Sequence, residues 1–162
     1  MGTQPPRAPT HNPHGHSGYV NETPTAQITA LLRQFARLLD SGDFASVTAM
    51  FNATAILVNG QHIGTGSDFV HTMMTDSIII YADGTPRTRH VIAHPAIDFT
   101  ATDRATVDSR YTVLQASPTG AHVVMVGRHH DTMELREGTW NLTTRDYGEI
   151  TFIGDTSHHL RH

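Results

Sequence analysis

The sequence predicts an α+β fold, and three observations predict it. Helical periodicity is confined to the first half of the chain. From Arg87 onward the segments are rich in Val, Thr, Ile and Tyr, and turn signals separate them. Helices first and a meander afterwards put the helices against one face of a curved sheet, which buries that face in a core or pocket.

Each element can be justified in order. Residues 1–24 carry five of the eight prolines, three histidines (His11, His14, His16) and almost nothing apolar. A disordered tail is expected there, followed by a single domain over residues 25–160. Thr25 is the expected cap of a first helix, whose Ile28, Leu31, Leu32, Phe35, Leu38 and Leu39 recur at helical spacing. Asp40 falls at its end, near the edge of the apolar face, before a Ser41-Gly42-Asp43 break. Phe44, Val47, Met50 and Phe51 suggest a short second helix. A strand over 55–59 turns at Gly60 into another around His62 and Ile63. Ser67 is the expected cap of a third helix with Val70, Met73 and Met74 inward.

The β half divides into segments near 88–93, 96–100, 105–115, 122–135 and 139–146. Ser117-Pro118-Thr119-Gly120 and Glu137-Gly138 read as hairpin turns, so the long strands should be antiparallel neighbours. Along 122–135 the odd positions are the more apolar set, and alternation assigns them to the helix side. His129 and Asp131 then sit one above the other on a buried face, where each needs a partner: a structural hydrogen-bonded pair or a substrate.

Composition narrows the chemistry. The chain has no cysteine, which excludes thiolate nucleophiles, disulfides and cysteine metal sites. All eleven basic residues are arginine, which excludes a lysine Schiff base. Carboxylates, tyrosines and thirteen histidines remain for proton transfer. A net charge of −4 argues against nucleic-acid and anionic-membrane partners, and no apolar run approaches a membrane span. The N-terminus lacks the pattern of a signal peptide, so a cytoplasmic location is expected. No motif for a metal, nucleotide or flavin is present, and no cofactor is expected.

Three stretches resemble one known family. Pro86-Arg87-Thr88-Arg89-His90 resembles the Arg-Thr-x-His strand of scytalone dehydratase and its SnoaL-like relatives. Leu39-Asp40-Ser41-Gly42-Asp43-Phe44 resembles the helix end that carries the family's catalytic aspartate. Gly127-Arg128-His129-His130-Asp131, with Glu137-Gly138-Thr139-Trp140 and Arg145, resembles its closing hairpin. The resemblance runs in order over roughly residues 25–160. It implies a cone-shaped nuclear transport factor 2-like fold, a curved mixed sheet packed against three N-terminal helices around a pocket. It also implies a lyase or isomerase of polyketide cyclase or dehydratase type, in which Asp40 orients and charge-stabilises His90 and His90 moves the proton.

The resemblance also implies the substrate contacts. His129 takes the place of a substrate-binding asparagine, Asn59 that of a first-strand tyrosine and Gln115 that of a second histidine. Apart from the resemblance, Asp131 on the buried face of its strand, Tyr111 and Met73 are also expected to contact a small apolar substrate such as a polyketide. Because the substrate-reading groups differ from the dehydratase's, related chemistry on another molecule is expected. The bland reading of Asp40 is a helix stop, and that of His90 a satisfied core histidine. A non-catalytic binding or assembly module and a limonene-epoxide-hydrolase-like hydrolase are the alternatives; Arg145-Asp146-Tyr147 and Asp108-x-Arg110 resemble the Arg/Asp arrangement of such hydrolases, but Asp108 and Arg110 fall on the more polar, outer face of the sheet. Val124 and Val126 among polar neighbours suggest that this outer face seats a homodimer.

Overall fold

The structure is a computed structural model that describes residues 22–161. His11, His14, His16 and most of the expected tail lie outside the described residues. The elements run α1 (Pro24–Ser41), α2 (Phe44–Ala49), β1 (Ala55–Val58), β2 (Gln61–Thr65), α3 (Gly66–Ser77), β3 (Thr88–Ala101), β4 (Arg104–Ser117), β5 (Gly120–Arg136), β6 (Thr139–Asp146) and β7 (Phe152–Ile153).

Helix α1 begins two residues earlier than the sequence suggests. Thr23, not Thr25, is the cap, accepting from the Ala26 amide, and Pro24 occupies the first turn where its missing N–H costs nothing. The helix buries Ile28, Leu32, Phe35, Ala36 and Leu39. It ends at Gly42, whose φ of 78° lets its amide close on Leu38 and Leu39. A Cβ at Gly42 would lie 2.2 Å from the Gly84 carbonyl oxygen, so glycine also permits the 81–85 turn to pack on the end of α1. Helix α3 starts after Thr65 with no side-chain cap, where Ser67 was expected.

The sheet order is β2-β1-β6-β5-β4-β3, with β7 pairing on β5. Only the β1–β6 pairing among these is parallel, so the sheet is mixed. The expected segments 88–93 and 96–100 form one strand, β3, whose register shifts between Ala93 and Ala96. Pro95 is tolerated because β3 is an edge strand and the bulge absorbs it. A core of α1, α2 and α3 side chains packs against Ile56, Val107, Met133, Trp140 and Leu142 of the sheet.

A second bulge corrects the face assignment on β5. Val113 pairs with Met125 and Leu114 with Val123, which leaves Val124 unpaired in register. Gly127, His129, Asp131 and Met133 face inward as alternation requires, but the extra residue flips the pattern beyond them. Val124 is 1% exposed and packs with Tyr111 and Val113, while Val123 is exposed. Val124 therefore belongs to the core and not to an outer interface.

Candidate active site

Helices and sheet enclose a cavity of about 300 Å³. Helix α1 contributes Phe35 and Leu39, α3 contributes Val70, Met73 and Met74, and the sheet contributes Val58, His90, Tyr111, Val113, Met125 and His129. Tyr147, His159 and Leu160 reach it from beyond β6. Among the described residues neither a carboxylate nor an arginine lines it.

Asp40 and His90 come together at the cavity wall. The Asp40 carboxylate accepts from the Thr88 hydroxyl at 2.9 Å, from the His90 backbone amide at 2.9 and 3.0 Å, and from His90 Nδ1 at 2.6 Å. The last turn of α1 holds the acid, and the first residues of β3 bring three donors onto it. Both side chains are largely buried, at 9% and 11% exposure. Burial alone would raise the Asp40 pKa; the hydrogen bonds from the His90 ring and backbone outweigh it, and the carboxyl is held below its ordinary value. The carboxylate fixes the His90 tautomer with the proton on Nδ1, leaving Nε2 as the basic atom.

His129 also lines the cavity and is held by aromatic neighbours. Its ring stacks on Tyr111 at 4.3 Å and meets Tyr147 edge-on at 5.1 Å. Gly127 makes this possible, because a Cβ there would lie 2.6 Å from the Tyr111 hydroxyl. Burial first, then the charge of Arg145, pushes the His129 pKa well below the ordinary histidine value, so the ring is neutral. Its Nδ1 is buried with no hydrogen-bond partner among the described residues.

Asp131 does not line this cavity. Its two oxygens accept from Arg145 Nε at 2.9 Å and Nη2 at 2.7 Å, and both side chains are almost wholly inaccessible. The guanidinium lies over the Phe35 ring at 4.4 Å. The partner that Asp131 has among the described residues is Arg145, across the β5–β6 pairing, and not His129.

Two further expected contacts lie elsewhere. Asn59 is exposed in the β1–β2 turn at a φ of 49° and accepts from the Glu149 amide. Gln115 is buried at the end of β4, where its amide donates to the carbonyls of Pro86, Arg87 and Ala116. It ties the start of β3 to β4, a structural task. Tyr111 and Met73 do line the cavity. Asp108 sits on the outer face beside His130 and Arg128, as alternation predicts.

Sequence reasoning missed His159. It follows the last strand in a segment without periodicity, and only the unusual His158-His159 pair marks it. The side chain is 6% exposed; burial first, then the proximity of His90, pushes its pKa down to about 4. Three imidazoles thus share one apolar cavity, and only His90 has a carboxylate partner.

Comparison with known proteins bears on this geometry. Residues 23–146 match the family described as the SnoaL-like domain. No curated protein matches the chain by sequence. Among solved structures, the chain is similar to a proposed scytalone dehydratase from Novosphingobium aromaticivorans, with TM-score 0.64 and 18% identity over 81% of this chain and 86% of that one. It is similar to ActVI-ORFA from Streptomyces coelicolor, with TM-score 0.63 and 18% identity over 77% of this chain and 96% of that one. The β subunit of a proposed aromatic-ring-hydroxylating dioxygenase from Novosphingobium aromaticivorans aligns at TM-score 0.61 and 17% identity, over 82% of this chain and 93% of that one. At such identities the likeness is one of fold: the cone-shaped, nuclear transport factor 2-like arrangement of helices and curved sheet. No helix among the described residues is long and apolar enough to cross a membrane.

Proposed function

The chain belongs to the SnoaL-like domain family, and from that premise we propose that it is a lyase or isomerase of polyketide cyclase or dehydratase type. Its substrate is a small, mostly apolar carbonyl compound of secondary metabolism. His90 Nε2 takes a proton from the carbon next to the carbonyl, and Asp40 stabilises the imidazolium that forms. His129, a neutral imidazole clamped between two tyrosines, meets the oxygen on which charge develops.

The observation that carries this reading is the Asp40–His90 pair at the wall of an apolar cavity. A structural pair would serve as well inside the packed core; this one belongs to a histidine that lines the cavity. An epoxide hydrolase would need carboxylates and an arginine converging on a water in the cavity. Asp40, Asp131 and Arg145 do not line this cavity: Asp40 is engaged by His90, and Asp131 and Arg145 by each other.

The reading is tested by α-proton exchange on 2-tetralone, a bicyclic ketone, in deuterium oxide. The wild-type chain should speed deuterium incorporation, and His90→Gln should lose about 10²-fold or more of that rate. Exchange by His90→Gln within threefold of wild type would sink the assignment.

A homodimer remains part of the proposal, with its seat moved. Val123, on the outer side of the bulge, and Phe152 and Ile153 of β7 are exposed at 41%, 48% and 61%, and they adjoin along the β5–β7 pairing. Three such side chains at one end of the sheet are better explained by a second copy than by water.

A further inference from the structure

The sheet walls of the cavity are polar at His90, Tyr111 and His129, and all three strands involved are neighbours. His159 comes from a different wall, the C-terminal segment, and its position is fixed on both sides. The Tyr81 hydroxyl donates to the His158 carbonyl at 2.7 Å, and the Ile79 amide to the His159 carbonyl at 2.9 Å. The Arg161 amide then donates to the Ser77 carbonyl at 2.8 Å, and Leu160 bridges Ile78. This anchoring presents the imidazole to the cavity instead of letting it swing to water.

The side chain's hydrogen-bonding capacity is unspent. His159 is buried and lines the cavity, and its Nδ1 has no hydrogen-bond partner among the described residues. With Nδ1 sealed in protein, Nε2 is the nitrogen left to meet a ligand. The cavity that the ring lines is almost wholly apolar, so a ligand oxygen is the partner open to Nε2, a role that a phenylalanine at the same place could not fill. The ring is neutral at neutral pH, since burial and His90 keep the proton off, so it can donate to or accept from an oxygen.

We propose that His159 is a substrate-binding residue that hydrogen-bonds a second oxygen of the substrate, remote from the reacting carbonyl. The substrate is then a neutral ring compound with at least two oxygens, one met from the sheet wall and one from the C-terminal segment. Neutrality follows from the lining: with neither carboxylate nor arginine on it, a charged ligand would surrender its hydration uncompensated. A cavity of about 300 Å³ suits a bicyclic body. The inference rests on the proposed function only in taking this cavity as the substrate site.

The test is equilibrium binding to the full chain by calorimetry, with 2-naphthol and naphthalene-2,6-diol as probes, on wild type, His159→Phe and His159→Gln. Wild type should bind the diol about tenfold more tightly than 2-naphthol, one hydrogen bond's difference. His159→Phe should shrink that preference below about twofold while still binding 2-naphthol, which reports an intact cavity; His159→Gln, with an amide in reach, should keep most of it. A preference undiminished in His159→Phe, no preference in wild type, or binding of neither probe would each overturn the proposal. Should the phenylalanine variant not fold, nitrogen-15 resonances of the wild-type His159 ring decide: the diol must move them and 2-naphthol must not. None of these readouts involves turnover, so a failure of proton exchange at His90 would leave this result standing, and the reverse.

Discussion

Asp40 Oδ1 and His90 Nδ1 lie 2.6 Å apart, joining the last turn of α1 to the first residues of β3. The same carboxylate also receives the Thr88 hydroxyl and the His90 amide, so one side chain locks the strand's start and sets the tautomer of its histidine. Gly42, two residues on, lets the 81–85 turn fold back and deliver that strand.

Asp40→Asn should therefore cost stability as well as activity. The amide replaces one acceptor oxygen by a donor, which must face a donor of Thr88 or His90. Urea denaturation should show a loss of about 1–3 kcal/mol, the cost of an unmet buried hydrogen bond. A loss under about 0.5 kcal/mol would mean that the carboxylate is not the hub described.

Stability should also fall on mild acidification, and the histidines decide where. His159 is held at about 4 against an ordinary 6.5, with His90, His129, Tyr111 and Tyr147 sharing its cavity. Between those values the unfolded chain binds a proton that the folded chain refuses. Stability is thus complete above about pH 6.5, falls as pH drops toward about 4, and His159 contributes no further loss below that. His129, also lowered, acts in the same sense. Asp40 behaves otherwise: its folded pKa lies below the ordinary 3.8, so its contribution is present above that value and lost only in stronger acid. Thermal melts between pH 7 and 4 should show Tm falling, with a shallower slope in His159→Gln; parallel slopes would contradict the assignment.

The Asp131–Arg145 pair should be fragile to single changes and tolerant of a double one. Asp131→Asn leaves a guanidinium buried against Phe35 with its counter-charge gone, a loss of about 3–5 kcal/mol. Removing both charges with Asp131→Leu and Arg145→Met should recover most of that loss in urea denaturation. Equal losses in the single and double variants would show that the pair's charges are not what the site needs.

Much of this was legible in the sequence, for reasons tied to particular residues. Ile28, Leu32, Phe35 and Leu39 announce α1 because burial at helical spacing leaves a period that survives without neighbours. The Asp40 and His90 motifs were legible because the carboxylate and its donors lie in short contiguous stretches. The inward turn of Val124 is not legible in the sequence, because a bulge changes which face a residue takes without changing composition. Gln115 and Asn59 were given binding tasks by position in the resemblance, yet their partners, backbone groups distant in sequence, appear only when strands pair. Arg145 could claim Asp131 only through the β5–β6 register, and His159 sits beyond any periodic element.

Assembly is tested by light scattering at micromolar concentration. Wild type should give twice the 17.8 kDa mass of the chain, and Phe152→Asp should give the single mass with the fold intact. A wild-type chain that stays near 17.8 kDa on concentration would contradict the homodimer; a dimer indifferent to Phe152→Asp would move its interface elsewhere.

Whether Asp40 and His90 act as one proton-transfer unit is read from a double-mutant comparison of 2-tetralone exchange rates. Asp40 serves only through His90, so once His90 is gone its loss should add almost nothing. His90→Gln should lower the exchange rate about 10²-fold or more, and adding Asp40→Asn should change this by less than about threefold. Losses that multiply across the two substitutions, or a His90→Gln rate close to wild type, would contradict a single proton-transfer unit.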